Sequence, residues 1–411
     1  MRSSKKNRFL CAVVCLVLIF SLVGCKNGGD VQPPAEPVKE NAQGVTDTTI
    51  KIGSVGVTSG PYAVIGKPYY EGMNAYFNKV NDAGGVNGRK IELIVKDDEF
   101  KPDKSLAAVE SLINDEKVFA IVGHLGTPGV MASLETVKEA GIPSVYFGGG
   151  AVQFTTAGPN FFPVQPNYIF EGSLMVRFAK EVFNAKKIAV LHSNDDIGKD
   201  GLAGVQEGLK IFGMESALTK DGIISYAATD TDYTVVVQKT KAYDPDLIII
   251  YSLMPINILK EMDKVGYNCP ILTTYSNAEP SFIALAGQAA PTATANMNAL
   301  GWLSTDLEQM QPYFEMQEKY FPGSAINAYT MAGWVAAETF VAGLEIAGDN
   351  LSWEGFIKAM EECKFDKGLA PSIDYSNGRR LGVTTMAMSS AAKLEDGTYT
   401  YLPATDFIGL D

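Results

Sequence analysis

From Thr49 onward, short apolar runs alternate with helical runs, and this alternation restricts the fold more than any other feature of the chain. Successive apolar runs are about 25–30 residues apart, the spacing of βα units in a parallel, doubly wound sheet. The alternation breaks at Asn160–Pro166, where prolines and aromatic residues follow one another, and it shifts again near Asn298–Leu303. The sequence therefore predicts two α/β lobes with more than one chain crossing between them.

The period of the apolar positions predicts the individual elements. Before the break we expect strands at Ile50–Val57, Ile91–Val95, Val118–Val122 and Ser144–Phe147, with helices at Tyr69–Val80, Lys104–Asn114 (N-cap Asp103) and Met131–Ala140. After it we expect strands at Lys187–Leu191, Leu247–Tyr251 and Ile271–Thr274, and helices at Ile169–Phe183, Gly198–Phe212, Asp232–Ala242, Ile256–Val265, Pro312–Tyr320, Ala328–Ala347 and Ser352–Cys363. Ala328–Ala347 is apolar on most sides, which predicts a buried packing helix. The tail, Gly382–Leu402, alternates like paired strands.

Length and charge limit the class of protein. A chain of 411 residues fits about two domains. Its net charge is −13, and would be −17 without the first 24 residues, which carry four basic side chains and no acid. Nucleic acid is not an expected partner, because phosphate binding needs basic patches.

The N-terminus has the features of a targeting segment. Met1–Arg8 is basic, and the apolar run Phe9–Val23 has signal-peptide length. It ends in Leu22–Cys25, which resembles a bacterial lipobox and so implies cleavage before Cys25 and acylation of that residue. We expect a signal peptide over residues 1–24 and a flexible tether over 25–47. A plain secretory signal with an incidental cysteine is the alternative.

Two cysteines would remain in the body of the protein, Cys269 and Cys363. They could pair, but one distant pair is not a disulfide framework. We expect both to be free, buried thiols.

Sequence signatures of catalysis are absent. The chain has two histidines, His124 and His192, and contains no HExxH, GxSxG or P-loop motif. We therefore expect a binding protein rather than an enzyme, without a cofactor or metal.

The loops that follow the strands are the candidate binding loops, because open α/β sheets bind ligands at the carboxyl ends of their strands. Thr127 can N-cap a helix whose free N–H groups would favour an anionic group. Gly148–Gly150 would let the backbone approach a ligand closely. Tyr62 and Tyr275 could form amphipathic walls, and His124 could bond a ligand, although each of these residues also fits a purely structural role.

Several stretches together resemble the branched-chain amino acid (Leu/Ile/Val) binding protein family, the type I periplasmic-type receptors of ABC transporters. The resemblance covers most of Thr49–Leu402 and is strongest at Ile50–Gly53, Thr58–Pro61, Asn81–Asp98, Val122–Leu125, Gly141–Pro143, Asp196–Gly201 and Pro245–Ile248.

The resemblance implies a Venus-flytrap fold, with two Rossmann-like lobes joined by a three-crossing hinge and ligand bound in the cleft. On this basis lobe 1 comprises residues 48–165 and 300–383, and lobe 2 residues 166–299 and 384–411. The implied function is amino acid transport by a monomeric, extracytoplasmic lipoprotein, anchored to the bacterial cell membrane through Cys25, which delivers its ligand to an ABC permease with cytoplasmic ATPases. A lipoprotein that signals ligand occupancy to a membrane receptor or kinase is the alternative.

The resemblance also implies site residues. In family members that bind aliphatic amino acids, lobe 1 holds the α-carboxylate and α-ammonium through a hydroxyl residue and backbone groups. Here these positions are Thr127, Gly149, Gly150 and Ala151. His124 and Leu125, which precede Thr127, are further candidate ligand contacts.

Lobe 2 departs from the family pattern. Ile197 and Leu253 stand where aromatic residues are expected, and Tyr275 stands where the resemblance implies an acid that accepts the ammonium. The family's usual disulfide is also missing, with Phe100 and Gly126 at its positions. A buried ammonium without a partner costs several kcal/mol. We therefore expect a small, partly apolar carboxylate, an amide or an aromatic metabolite rather than leucine, isoleucine or valine.

Overall fold

A computed structural model describes residues 42–227, 229–304, 306–349, 351–366 and 368–411. The predicted signal peptide, Cys25 and most of the tether lie outside these residues. The strands are β1 (Thr49–Gly56), β2 (Lys90–Asp97), β3 (Ile121–Leu125), β4 (Ser144–Gly148), β5 (Phe161–Phe162), β6 (Ile188–Ser193), β7 (Ile223–Tyr226), β8 (Leu247–Tyr251), β9 (Ile271–Thr273), β10 (Met297–Gly301), β11 (Lys364–Phe365), β12 (Ile373–Asp374), β13 (Ala387–Lys393) and β14 (Tyr399–Pro403).

The α-helices are α1 (Ala63–Asp82), α2 (Pro102–Asn114), α3 (Thr127–Ala140), α4 (Tyr168–Glu181), α5 (Asp196–Ile211), α6 (Thr234–Tyr243), α7 (Ile256–Lys264), α8 (Pro280–Ala289), α9 (Pro291–Thr294), α10 (Leu307–Tyr320), α11 (Ala328–Ala347) and α12 (Trp353–Glu362). No described helix is both long and apolar enough to cross a membrane.

Two parallel sheets with the same strand order form the two lobes. The first runs β2-β1-β3-β4-β5, and the parallel part of the second runs β7-β6-β8-β9-β10, so each lobe has the order 2-1-3-4-5. In this doubly wound order the switch point lies between the first and third strands of the lobe, and a crevice opens there at the strand carboxyl ends. Each lobe therefore presents one crevice, beside β1 and β3 in one and beside β6 and β8 in the other.

The second sheet is extended by an antiparallel edge. β13 pairs with β10, and β14 pairs with β13, which brings the C-terminal strands onto the second lobe. Between β10 and β13 the chain returns to the first lobe, where α11 packs on α1, β3 and β4. The chain thus changes lobe after β5, after β10 and after β12. The residue bounds expected for the lobes stay a prediction.

The predicted buried packing helix is confirmed. α11 has the predicted bounds, begins with a capping box in which Asn327 and Thr330 satisfy each other's backbone N–H groups, and buries twelve of its residues. Cys269 and Cys363 are free and buried, as expected.

Three local predictions were wrong. The third strand lies at Ile121–Leu125, three residues later than expected, so His124 and Leu125 belong to a strand rather than to a loop. The residue before α2 is Lys101, and Asp103 lies in the first helical turn. Thr127 is the first residue of α3, with Gly126 before it at φ 110°, and its side chain does not cap the helix. That φ favours glycine, so Gly126 occupies the position before the helix. The helix therefore begins at Thr127, one residue earlier than it would if Thr127 were the N-cap.

Candidate functional site

A cavity of about 620 Å³ lies between the two switch-point crevices and continues past the chain crossings. This volume is within the range of about 300–1,000 Å³ found for small-molecule sites. Most of its lining is aliphatic and aromatic. Of the ten residues predicted from the sequence to bind ligand, six line it: Leu125, Thr127, Gly149, Ile197, Leu253 and Tyr275.

The first lobe forms one end of the cavity at the start of α3. Thr127 is buried, and its N–H belongs to the first turn of the helix, where backbone donors have no partner within the helix. Gly149 faces it closely, since a Cβ on Gly149 would lie 2.3 Å from the Thr127 Oγ1. The glycine therefore keeps the helix N-terminus open to a ligand, and the dipole of α3 favours an oxygen-rich group there.

A chain of hydrogen bonds continues this polar end across the crossing into the second lobe. The Tyr146 hydroxyl donates to the Gln165 Oε1 at 2.7 Å, and the Gln165 Nε2 donates to the Tyr275 hydroxyl oxygen at 2.7 Å. The Tyr275 O–H can then donate to the neighbouring Tyr168 hydroxyl or to a bound molecule. Burial raises the pKa of Tyr275 well above its usual value, so this proton is present at neutral pH. The Tyr168 ring stacks on Tyr275 with centroids 6.0 Å apart, and the Tyr168 and Thr127 hydroxyls lie 3.3 Å apart.

Glu171 on α4 holds the backbone at Tyr275 in place through hydrogen bonds. Its fully buried carboxylate accepts hydrogen bonds from the Tyr275 N–H at 2.6 Å, from the Thr274 hydroxyl at 2.8 Å and from the Tyr251 hydroxyl. Burial nevertheless raises the pKa of Glu171 to about 7. The side chain fixes the backbone that carries Tyr275 and does not line the cavity.

The second lobe contributes mainly apolar surface. Ile197 follows β6 in the first turn of α5, and Leu253 follows β8, so the two residues lie on either side of the second switch point. Nearby, the Asp200 carboxylate accepts a hydrogen bond from the Val152 N–H of the first lobe at 3.0 Å. This bond joins the lobes directly at the rim of the cleft.

Glu279 is an acid in the cavity wall that sequence reasoning missed. It is 3% exposed, and its two carboxylate oxygens accept from the Ser281 N–H at 3.2 Å and from the Ala328 N–H at 2.9 Å. One partner is the start of α8 in the second lobe and the other is the start of α11 in the first. Two helix N-termini thus compensate the buried charge across the lobe boundary.

Four predicted residues lie outside the cavity lining. The Tyr62 side chain is 43% exposed and packs on the Phe100 ring with centroids 4.8 Å apart. The His124 Nε2 lies 2.8 Å from the Ser105 hydroxyl, and burial lowers the pKa of this histidine to about 3, which keeps it neutral. Gly150 makes room for the Tyr168 ring and the Tyr275 hydroxyl, and Ala151 is fully buried.

Phe100 and Gly126, at the positions of the family disulfide, are neighbours in space. A Cβ on Gly126 would lie 2.8 Å from the Phe100 ring. The ring covers this glycine and lines the cavity.

Other missed lining residues come from positions that carry no motif. Ile65 and Tyr69 lie on α1, Gln165 lies at the first crossing, and Trp302 follows β10. Trp302 packs beside Tyr146 with ring centroids 6.2 Å apart. The predicted break at Asn160–Pro166 could have indicated Gln165 as a site residue. The sequence pattern of the other three residues is typical of core positions.

The charges of the site restrict its chemistry. Within the described residues no lysine, arginine or histidine lines the cavity, and the acids that do are Glu279 and Asp406. The described residues also contain no group of three or more potential metal ligands. An anion would therefore rely on neutral donors, namely the start of α3 and the Tyr275 hydroxyl.

Comparison with known proteins agrees with this architecture. The family model described as "Periplasmic binding protein" matches residues 49–397. The fatty acid ABC transporter substrate-binding protein from Thermomonospora curvata superposes with a TM-score of 0.78 at 22% identity, over 90% of this chain and 95% of that one. The two-lobed fold with its interlobe cavity is that of a type I periplasmic binding protein, and the chain belongs to the periplasmic binding protein family.

Relatives by sequence are distant. An amino acid binding protein from Pseudomonas aeruginosa is 27% identical over 207 residues, which is 50% of this chain and 54% of that protein. A Leu/Ile/Val-binding protein homolog from Brucella suis is 24% identical over 360 residues, covering 87% of this chain and 93% of that protein.

Proposed function

We propose that the chain is the solute-binding component of an ABC importer and binds a mostly apolar small molecule with one hydrogen-bonding end, a carboxylate or an amide. The observation that supports this most is the asymmetry of the cavity. Donors converge at Thr127 and Tyr275, while the remaining wall is dominated by aliphatic and aromatic side chains. Such a site orients a ligand by its polar end and gains affinity from apolar burial.

The proposed action is binding and delivery, with no catalytic step. Ligand contacts to both lobes would favour the closed arrangement that Asp200 and Glu279 bridge, and a permease would receive the closed, loaded protein. Acylation of Cys25 would hold the protein at the outer face of the cell membrane, next to that permease. The named relatives, which include amino acid and fatty acid binders, support the transport role.

An amino acid is the second candidate ligand, because Glu279 supplies an acid in the cavity wall. Each of its oxygens has a backbone donor, and a carboxylate oxygen can accept a further bond. An α-ammonium would use this remaining acceptor capacity.

Native mass spectrometry of protein purified without refolding tests the proposal, since a retained ligand is identified by its mass. Calorimetric titration with leucine, isoleucine and valine separates the two candidates. We expect no binding of these three at micromolar concentration. Micromolar binding that Glu279→Gln abolishes would instead establish the amino acid.

A further inference from the structure

We propose that the substrate class is a straight-chain amphiphile, a monocarboxylate or primary amide whose hydrocarbon tail occupies a second part of the cavity, here named the apolar arm. Gly301, Leu307, Met310, Ala387, Ser389 and Tyr401 bound this arm. The inference rests on the proposed function and specifies its ligand.

The strand register explains why the arm is open. Gly301 is opposite Ala387, and Ser389 follows on the same face of β13, so three small residues lie together on the antiparallel edge of the sheet. A Cβ added to Gly301 would have no neighbour closer than 4.0 Å, which shows unfilled space at this point of the wall.

The arm begins where the polar network ends. Trp302 lies between the two regions, beside Tyr146 on one side and next to Gly301 in the chain on the other. At the far end Leu307 and Ile326 are 71% and 47% exposed, so the arm reaches the surface there. A ligand anchored at Thr127 can therefore extend a tail past Trp302 and let its end emerge beside α10.

The chemistry of the arm selects a neutral tail. The charged residues that line the cavity in the described part of the chain are Asp406 and Glu279, and both would repel a second carboxylate. The Thr405 hydroxyl oxygen already accepts from the Met388 N–H at 2.9 Å. The apolar lining and the acids together fit methylene groups and do not fit a dicarboxylate.

Titration of the full chain with straight-chain monocarboxylates from butyrate to dodecanoate, and with the matching amides, tests the proposal. Burial of each added methylene is expected to raise affinity by roughly threefold to fourfold. The gain should level off once the tail reaches Leu307, where it meets solvent. Equal affinity for short and long members would overturn the proposal.

Two substitutions on one strand supply the control. Ala387→Leu adds bulk inside the arm, whereas Ala392→Leu, five residues along β13, adds it on the opposite face of the strand. We expect Ala387→Leu to weaken long-chain members by at least about tenfold while butyrate is unaffected, and Ala392→Leu to change neither. Gly301→Leu should repeat the Ala387→Leu result, because space is open there.

The outcomes separate the two proposals. Binding of short members with no gain from longer ones, or an equal effect of Ala387→Leu on all members, overturns the apolar arm and leaves the solute-binding proposal intact. Failure of every carboxylate and amide to bind overturns both the arm and the proposed ligand class.

Discussion

The two ends of the cavity differ in what shapes them: hydrogen bonds at one end and small side chains at the other. At the polar end, Thr127, Gln165 and Tyr275 are held by hydrogen bonds and by a buried acid beneath them. In the apolar arm, Gly301, Ala387 and Ser389 leave space because their side chains are small. Under the proposed function, the polar end would fix the orientation of a ligand and the arm would set the length it accepts. Substitutions at the polar end should therefore affect all ligands, and substitutions in the arm only long ones.

Gly149→Val should have the largest effect. The new side chain would clash with Thr127 and fill the space at the start of α3, so affinity for every ligand should fall by roughly 100-fold. Calorimetric titration measures this. Gly141→Asn, at a helix C-cap with φ 69° and open surroundings, is the control and should bind normally. Retained binding in Gly149→Val would place the polar end elsewhere.

Glu171→Gln should remove a pH dependence of stability. Burial raises the folded-state pKa of Glu171 to about 7, above its value of 4.5 in the unfolded chain. The folded protein therefore keeps this proton up to a higher pH than the unfolded chain does. The free energy of unfolding should therefore fall by roughly 3 kcal/mol as pH rises from 4.5 to 7. In Glu171→Gln this contribution disappears, which chemical denaturation at several pH values would show.

His124 and Glu338 define the controls for that experiment. The lowered pKa of His124 acts in the opposite direction, since stability from the neutral buried imidazole is lost as pH falls from 6.5 towards 3. Glu338, whose pKa burial also raises to about 7, lies on α11 away from the cavity lining. Glu338→Gln should thus flatten the stability profile as Glu171→Gln does, but leave ligand affinity unchanged. An unchanged profile in Glu171→Gln would contradict the assignment.

Two tyrosine substitutions compare the ends directly. Tyr275→Phe removes the acceptor of the Gln165 bond and the free hydroxyl donor, so affinity should fall by about twofold to tenfold. Tyr401→Phe removes a buried hydroxyl that has no partner among the described residues, so affinity for short ligands and the melting temperature should be unchanged or slightly higher. Equal losses in both variants would mean that the two ends do not differ as described.

Asp200→Asn should have the smallest effect. The amide still accepts from the Val152 N–H but loses the charge that strengthens the bond, so the closed state weakens by about 1 kcal/mol or less. We expect a loss of affinity of no more than about fivefold, equal for short and long ligands. A loss confined to long ligands would show that Asp200 acts on the arm instead.

Much of the fold could be predicted because long elements repeat a clear apolar period. β8 and α11 were predicted with the bounds that the structure shows. β7, α8 and β10 were missed, since each is short or lies in a stretch rich in alanine and polar residues. The shift of β3 had a different cause. Gly123 has a φ of 72° within the strand. In a sequence, a glycine after an apolar run indicates a turn, so the strand was predicted to end before it.

The sequence by itself predicted the two α/β lobes, the free cysteines and six of the cavity residues. Strand ends and glycine-rich turns are local features that indicated Thr127, Gly149 and Tyr275, whereas Leu125, Ile197 and Leu253 were implied by the resemblance to the family. The tertiary structure alone decided which loops meet. It turned His124 towards Ser105, brought Glu279 to the start of α11, and aligned Gly301 with Ala387 across two strands. These contacts join residues far apart in the chain, and only the sheet order and register place them together.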